Sequence, residues 1–303
     1  FIFTCKFIAF FNCHPLPQQL QPINHLKSLK FVHRGKLMTA QVTKLFNNIW
    51  QQYLTVTPSA DNIHQLLGNG NDVINDHVAY RTFNLEKVNL ETLASHLLNI
   101  GYTECGQYDF AAKKLTAKHF EHSNNTMPKV FISELRVEEF SDNVQKIIHQ
   151  LVDQLPENIS DQDNFLYSGR AWDVSSTDYQ TLLAESEYAA WLAAWGYRAN
   201  HFTVSINHLD NFDCIVAVND SLKEAGHSLN NTGGEIKGDE IVKLEQSSTL
   251  ADKAMVEFTD KTMEIPSCFY EFAKRYPQAD GELYTGFVAA SADKIFESTN
   301  AVA

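Results

Sequence analysis

Two histidines and one glutamate, each set in an apolar or aromatic run, are the residues of this chain most able to act together chemically. They are His77 in Asp76-His77-Val78-Ala79-Tyr80-Arg81, His201 in Asn200-His201-Phe202-Thr203, and Glu271 in Phe269-Tyr270-Glu271-Phe272. Each run reads as a strand. Two imidazoles and a carboxylate form the facial set that holds non-haem Fe(II) and leaves positions open for substrate and O2. A glutamate inside an apolar strand is costly unless it is paired or metal-bound. Arg81 follows His77 by four residues, and an even separation puts both side chains on one face of a strand. Its planar guanidinium suits bidentate recognition of a carboxylate. The expected metal ligands are His77, His201 and Glu271. Arg81, with His77 beside it, is expected to meet a carboxylate-bearing substrate.

Other residues compete for these roles. Glu134, in Phe131-Ile132-Ser133-Glu134-Leu135-Arg136, is a second carboxylate on an expected strand. Arg136 shares its face, so a structural pair or a supporting role fits it. His208 lies seven residues after His201, an odd spacing that turns it to the other face of a regular strand. Thr203 and Ser205 share the face of His201, as in the wall of a polar cavity. Gln246-Ser247-Ser248-Thr249 reads as a substrate contact or a turn beside a strand. Cys268 reads as a small buried side chain. No Gly-x-Gly-x-x-Gly, P-loop, His-Glu-x-x-His or Gly-x-Ser-x-Gly motif is present, which weakens nucleotide-binding, zincin and serine-hydrolase readings.

The elements that must position these residues follow from periodicity. Helices are expected over Thr43–Leu54 and Ile63–Leu67. A strand over Val78–Phe83 precedes a helix capped by Asn89 and ended by Gly101. Strands near Tyr108–Ala112 and Lys129–Leu135 follow. The order recurs later: a strand over Asn200–Ile206, a helix over Phe212–Ala225, then strands near Ile241–Glu245, Ala254–Phe258 and Ser267–Phe272. Helices over Asp142–Leu155 and Asp178–Trp195 separate the copies. The segment 156–170 reads as loop, as does most of the chain from Pro277, which closes with Phe287–Thr299. The fold class expected is α+β, with two βαβββ modules, about 72–140 and 196–276, facing each other as a cup-like open barrel. His77 and His201 then stand on the first strand of each module, and Glu134 at the point matching Glu271.

The 303 residues suit one large domain or two fused modules. Hydrophobic residues make up 44% and charged residues 20%, an ordinary globular balance. The net charge of −13 argues against nucleic acid as a partner, and no stretch is long enough to be a membrane span. The five cysteines contain no Cys-x-x-Cys pair, so a cytoplasmic, reducing setting is expected. Five of the 24 basic residues and none of the 37 acidic ones fall in residues 1–37. That stretch reads as a leader, disordered or not native, ahead of a single catalytic domain over 38–303. Organelle targeting is the minor alternative.

At these residues the chain resembles the 2-oxoadipate dioxygenase/decarboxylase family, in a compact branch also seen in plants. The marks are His77 to Arg81, Asn200 to Thr203, Phe269-Tyr270-Glu271 with Lys274-Arg275, and Ser291-Ala292-Asp293-Lys294-Ile295-Phe296. The resemblance covers roughly Met38 to Asn300. It implies a fold like that of the vicinal oxygen chelate proteins and Fe(II) held by His77, His201 and Glu271. It also implies a substrate carboxylate on Arg81, aided by Ala290 and Ser291. The implied reaction takes 2-oxoadipate and O2 to 2-hydroxyglutarate and CO2. Two rivals remain: a metal-dependent hydrolase or lyase on the same scaffold, and a non-enzymatic dicarboxylate-binding protein.

Overall fold

The computed structural model describes residues 24–299. Helix α1 (Asn24–Leu54) buries Val42, Phe46, Ile49 and Tyr53, spaced to form one apolar stripe. The helix expected over Thr43–Leu54 is the end of this longer one. Residues 1–23 of the expected leader lie outside the described residues. Helix α2 (Pro58–Gly68) opens on a proline, whose missing N–H is no loss in a first turn.

The first module runs β1 (Asn75–Phe83), α3 (Leu90–Leu98), β2 (Tyr102–Phe110), β3 (Leu115–His122) and β4 (Lys129–Leu135). Three helices follow: α4 (Asp142–Asp153), α5 (Ser176–Glu185) and α6 (Glu187–Trp195). The single helix expected over Asp178–Trp195 is broken at Ser186. This residue is extended (φ −153°, ψ 107°), closes α5, and caps α6 by accepting from the Ala189 N–H, the role serine favours.

The second module is β5 (Ala199–Ser205), α7 (Ile215–Glu224), β6 (Lys237–Asp239) and β7 (Leu244–Ser248). A hairpin, β8 (Lys253–Glu257) and β9 (Thr262–Pro266), is inserted before β10 (Phe269–Arg275). The hairpin strands pair only with each other, so the strand expected near Ala254–Phe258 does not belong to the module's sheet. The strand expected at Ile241 begins instead at Leu244. Ile241 and Val242 lie exposed in a turn closed by Lys243 at positive φ. The polar run from Gln246 to Ser248 is therefore strand, not turn.

All eight remaining strands form one sheet in the order β2-β3-β4-β1-β5-β10-β7-β6. This order is symmetric: β1 corresponds to β5, β4 to β10, β3 to β7 and β2 to β6. The modules join where β1 runs antiparallel to β5, with His77 opposite Thr203, Val78 opposite Phe202 and Ala79 opposite His201. Helix α8 (Ala289–Ile295) packs on β2 at one edge of the sheet and on β6 and β7 at the other. It thereby bridges the mouth of the curled sheet. The two-module α+β cup expected from the sequence is the architecture observed. Among the described residues no helix is long and apolar enough to cross a membrane.

Candidate metal centre

His77, His201 and Glu271 converge inside the cup. Their ligand atoms all lie within 4.8 Å of one another, and all three residues are buried. His201 Nε2 is 3.0 Å from Glu271 Oε2, and His77 Nε2 is 3.7 Å from Oε1. The pairing of β1 with β5 brings the two histidines together, and the parallel pairing of β10 with β5 sets Glu271 beside Thr203.

Each ligand is oriented by a neighbour. His77 Nδ1 is 2.9 Å from Asp76 Oδ1, and His201 Nδ1 is 3.1 Å from Asn200 Oδ1. Those oxygens can only accept, so each Nδ1 carries a hydrogen and each Nε2 is turned into the cluster. His201 Nε2 faces the Glu271 carboxylate, while His77 Nε2 lies nearer the Thr203 hydroxyl, at 3.0 Å, than the carboxylate. Oriented imidazoles with outer partners are the usual setting of a metal ligand, and the buried carboxylate beside them completes a two-histidine-one-carboxylate donor set. The residues therefore fit a metal ion. Gln246 donates to Glu271 Oε1 at 2.6 Å, while its own Oε1 and the Asn200 Nδ2 are buried without partners among the described residues. Asp76 is gripped by Arg275, with Nε to Oδ2 at 2.6 Å and Nη2 to Oδ1 at 2.8 Å. Arg275 Nη1 also donates to the carbonyls of Tyr284 and Gly286, and so ties the C-terminal segment to the centre.

Electrostatics favour the ligating forms. Burial raises the Glu271 carboxyl, but His77 and His201 outweigh it and hold the group below its ordinary range. Burial holds His201 below its ordinary value, against the opposing pull of Glu271. Burial also works to raise Asp76, and Arg275 and His77 reverse it, leaving the group strongly acidic.

His77, Ala79 and Arg81 line one mostly apolar pocket with His201, Glu271 and Gln246. The register of β1 with β4 is unbroken from His77 to Phe83, so Arg81 stays in phase with His77; the shift at Ala79/Tyr80 is an extra residue, Asn200, in β5. Arg81 is 2% exposed. Its Nη1 donates to both Glu187 oxygens at 3.1 Å, its Nη2 donates to Thr299 Oγ1 at 2.8 Å, and its Nε has no partner among the described residues. The rings of Tyr188 and Trp191 each lie 4.9 Å from the guanidinium carbon.

Several expected contributors stand elsewhere. Ala290 is exposed, and Ser291 is buried near Gly238 on β6. The C-terminal residues lining the pocket are instead Ala292, Ile295 and Phe296. Their spacing makes one helical face, and Ala290 falls opposite it. Glu134 is not the match of Glu271. With His77 equivalent to His201, the strand registers place Phe131 there. Glu134 points outward, accepting from the Leu90 N–H at 2.8 Å at the start of α3, a favourable place for an anion. Its expected partner Arg136 pairs with Asp109 and Glu139. His208 bonds Ser205 and stays apart from the metal-ligand cluster. Cys268 is buried, and burial pushes its thiol up to about 12. Sequence reasoning missed Asn200, Arg275 and Glu187 as site residues. One signal was available: an oxygen acceptor directly precedes each histidine.

A family model for 2-oxoadipate dioxygenase/decarboxylase matches residues 36–163 and 162–281. A chloroplastic 2-oxoadipate dioxygenase/decarboxylase of Arabidopsis thaliana is 33% identical, over 88% of this chain and 81% of that protein. The crystal structure of hydroxyglutarate synthase from Oryza sativa, in complex with 2-oxoadipate, is 30% identical with a TM-score of 0.78, over 96% and 98% of the two chains. A Shewanella frigidimarina structure whose hydrolase label is provisional is 63% identical with a TM-score of 0.80, over 82% and 98%. The chain belongs to the 2-oxoadipate dioxygenase/decarboxylase family.

Proposed function

We propose that this enzyme converts a 2-oxo dicarboxylic acid, 2-oxoadipate, and O2 into 2-hydroxyglutarate and CO2, with Fe(II) held by His77, His201 and Glu271. The observation that carries the reading is the convergence of two imidazoles, each held at Nδ1, and one buried carboxylate, in a pocket that also contains a buried arginine. The names of the relatives support the substrate. Two imidazoles and one carboxylate are the donor set of iron oxygenases that keep positions open. Bound there, ferrous iron would take the 2-oxo acid and O2 and supply the electrons that activate oxygen.

The chain's own residues do the rest. Asp76 and Asn200 fix the imidazole tautomers. Gln246 holds one oxygen of Glu271 and so restricts how the carboxylate turns. Arg81 takes the far carboxylate of the substrate and aligns the carbon skeleton along the pocket, which converts binding into orientation. Phe131, Phe287, Ile295 and Phe296 keep water from the reacting carbon. The reading takes residues 38–303 as one catalytic domain. It places the enzyme in the cytoplasm, in keeping with the unpaired Cys105, Cys214 and Cys268.

The test is metal content and turnover in His77→Ala, His201→Ala and Glu271→Ala. Each variant is expected to lose stoichiometric iron and CO2 release from 2-oxoadipate. Full activity with bound iron in any one removes that residue from the set. A redox-inert metal that supports hydrolytic turnover without O2 would favour the hydrolase reading instead.

A further inference from the structure

Arg81 is almost wholly enclosed, and a buried guanidinium needs a counter-charge. The structure supplies one from an unexpected place. Glu187, the first residue of α6, gives both carboxylate oxygens to Arg81 Nη1. We infer that Glu187 holds the place of the substrate's far carboxylate on Arg81 in the ligand-free protein, and so sets the affinity of the pocket for dicarboxylates. This rests on the reading of Arg81 as the anchor of that carboxylate.

Three observations support the exchange. First, the partners differ in freedom: the Arg81 side chain is 1% exposed and that of Glu187 24%. Arg81 is held between the Tyr188 and Trp191 rings, whereas Glu187 can turn toward water. Second, Glu187 borders a separate cavity that Lys113 and Lys114 also line, and Phe296 lies between that cavity and the metal pocket, lining both. A displaced carboxylate thus has a polar cavity to turn into, lined also by Glu185 and Glu297, the latter paired with Lys113. Third, the guanidinium is not saturated. Among the described residues Nε is buried without a partner, and Nη2 meets only the Thr299 hydroxyl. An arriving carboxylate can fill those positions, but it then shares the cation with Glu187. Two carboxylates on one guanidinium repel each other, so the charge of Glu187 opposes substrate binding whether it leaves or stays. A monocarboxylic 2-oxo acid makes no such demand.

The experiment is calorimetric binding of glutarate, an unreactive dicarboxylate, and butyrate, its single-carboxylate control, to the metal-loaded full chain. Glu187→Gln is expected to bind glutarate about tenfold more tightly and butyrate unchanged, with KM for 2-oxoadipate falling while kcat does not rise. Unchanged or weaker glutarate binding by the folded variant overturns the inference, as does an equal gain for butyrate. Glu187→Asp keeps the charge but withdraws it. It decides the matter if the glutamine variant does not fold: a smaller tightening supports the exchange, and none overturns it. Arg81→Met separates the two readings. Wild-type glutarate affinity in that variant would remove Arg81 as the anchor, and loss of affinity would leave Glu187 to be judged on its own variants.

Discussion

Glu271 lies between two imidazoles and an amide with 1% exposure, and such a carboxylate stays ionised only because its neighbours reward the charge. This makes the centre sensitive to acid. His201 and Glu271 both have folded pKa values below their ordinary ones. For each, the unfolded chain takes up a proton at a pH where the folded chain does not. Their stabilisation is therefore complete above the ordinary value, 6.5 for His201 and 4.5 for Glu271. It is lost as pH falls through the lowered folded values. The melting temperature of the metal-free protein is expected to hold from pH 8 to about 6.5 and to fall below it, with metal affinity falling in parallel. A melting temperature that rises on acidification would contradict the assignment. The cluster of His77, His201 and Glu271 was legible in the sequence because each is a chemistry-bearing residue inside an apolar strand. Glu187 was not, because it sits in a helix whose contact with β1 only the tertiary fold creates.

The elements deliver these residues through two kinds of local rule. Strand alternation put His77 in phase with Arg81 and left Glu134 on the outer face. Capping chemistry divided α5 from α6 at Ser186 and thereby placed Glu187 at a helix start. The strands flanking the ligands, β1, β4, β5 and β10, were legible because they are apolar. β3 was not, since Lys118, His119 and Glu121 dilute its alternation, and the three-residue β6 is too short to show a period. The turn into β5 depends on Gly196, which closes α6 at φ +66°. A β-carbon there would lie 2.3 Å from the Gly169 carbonyl oxygen and 2.4 Å from Arg170 Cα. The same turn lets Tyr197 exchange backbone hydrogen bonds with Gly169, at 2.8 and 3.0 Å. Gly196→Ala is expected to cost about 2–4 kcal/mol in chemical denaturation. Gly226→Ala, where nothing lies within 4 Å of the added carbon, is expected to cost about 1 kcal/mol. Equal effects would mean that the close approach at Gly196 does not matter.

At the scale of the whole molecule, a near-symmetric scaffold carries an asymmetric site. The second module supplies His201 and Glu271, while the first supplies His77 and Arg81. Phe131 stands at the position matching Glu271 and Ser205 at that matching Arg81. The cluster of His77, His201 and Glu271 draws on both modules, and its carboxylate is not repeated because Phe131 stands at the matching position. The repeat was legible as a pattern of elements. The closure was not, because it depends on α8 reaching both sheet edges and on Arg275 holding the carbonyls of Tyr284 and Gly286, contacts between segments with no shared periodicity. The central claim is that this enclosed centre couples oxygen to a 2-oxo dicarboxylate. The most direct measurement is O2 uptake by the full chain, reconstituted anaerobically with Fe(II), on addition of 2-oxoadipate. The account predicts O2 consumed, CO2 released and 2-hydroxyglutarate formed in equal amounts. No O2 uptake by protein that holds its iron and binds 2-oxoadipate would contradict it.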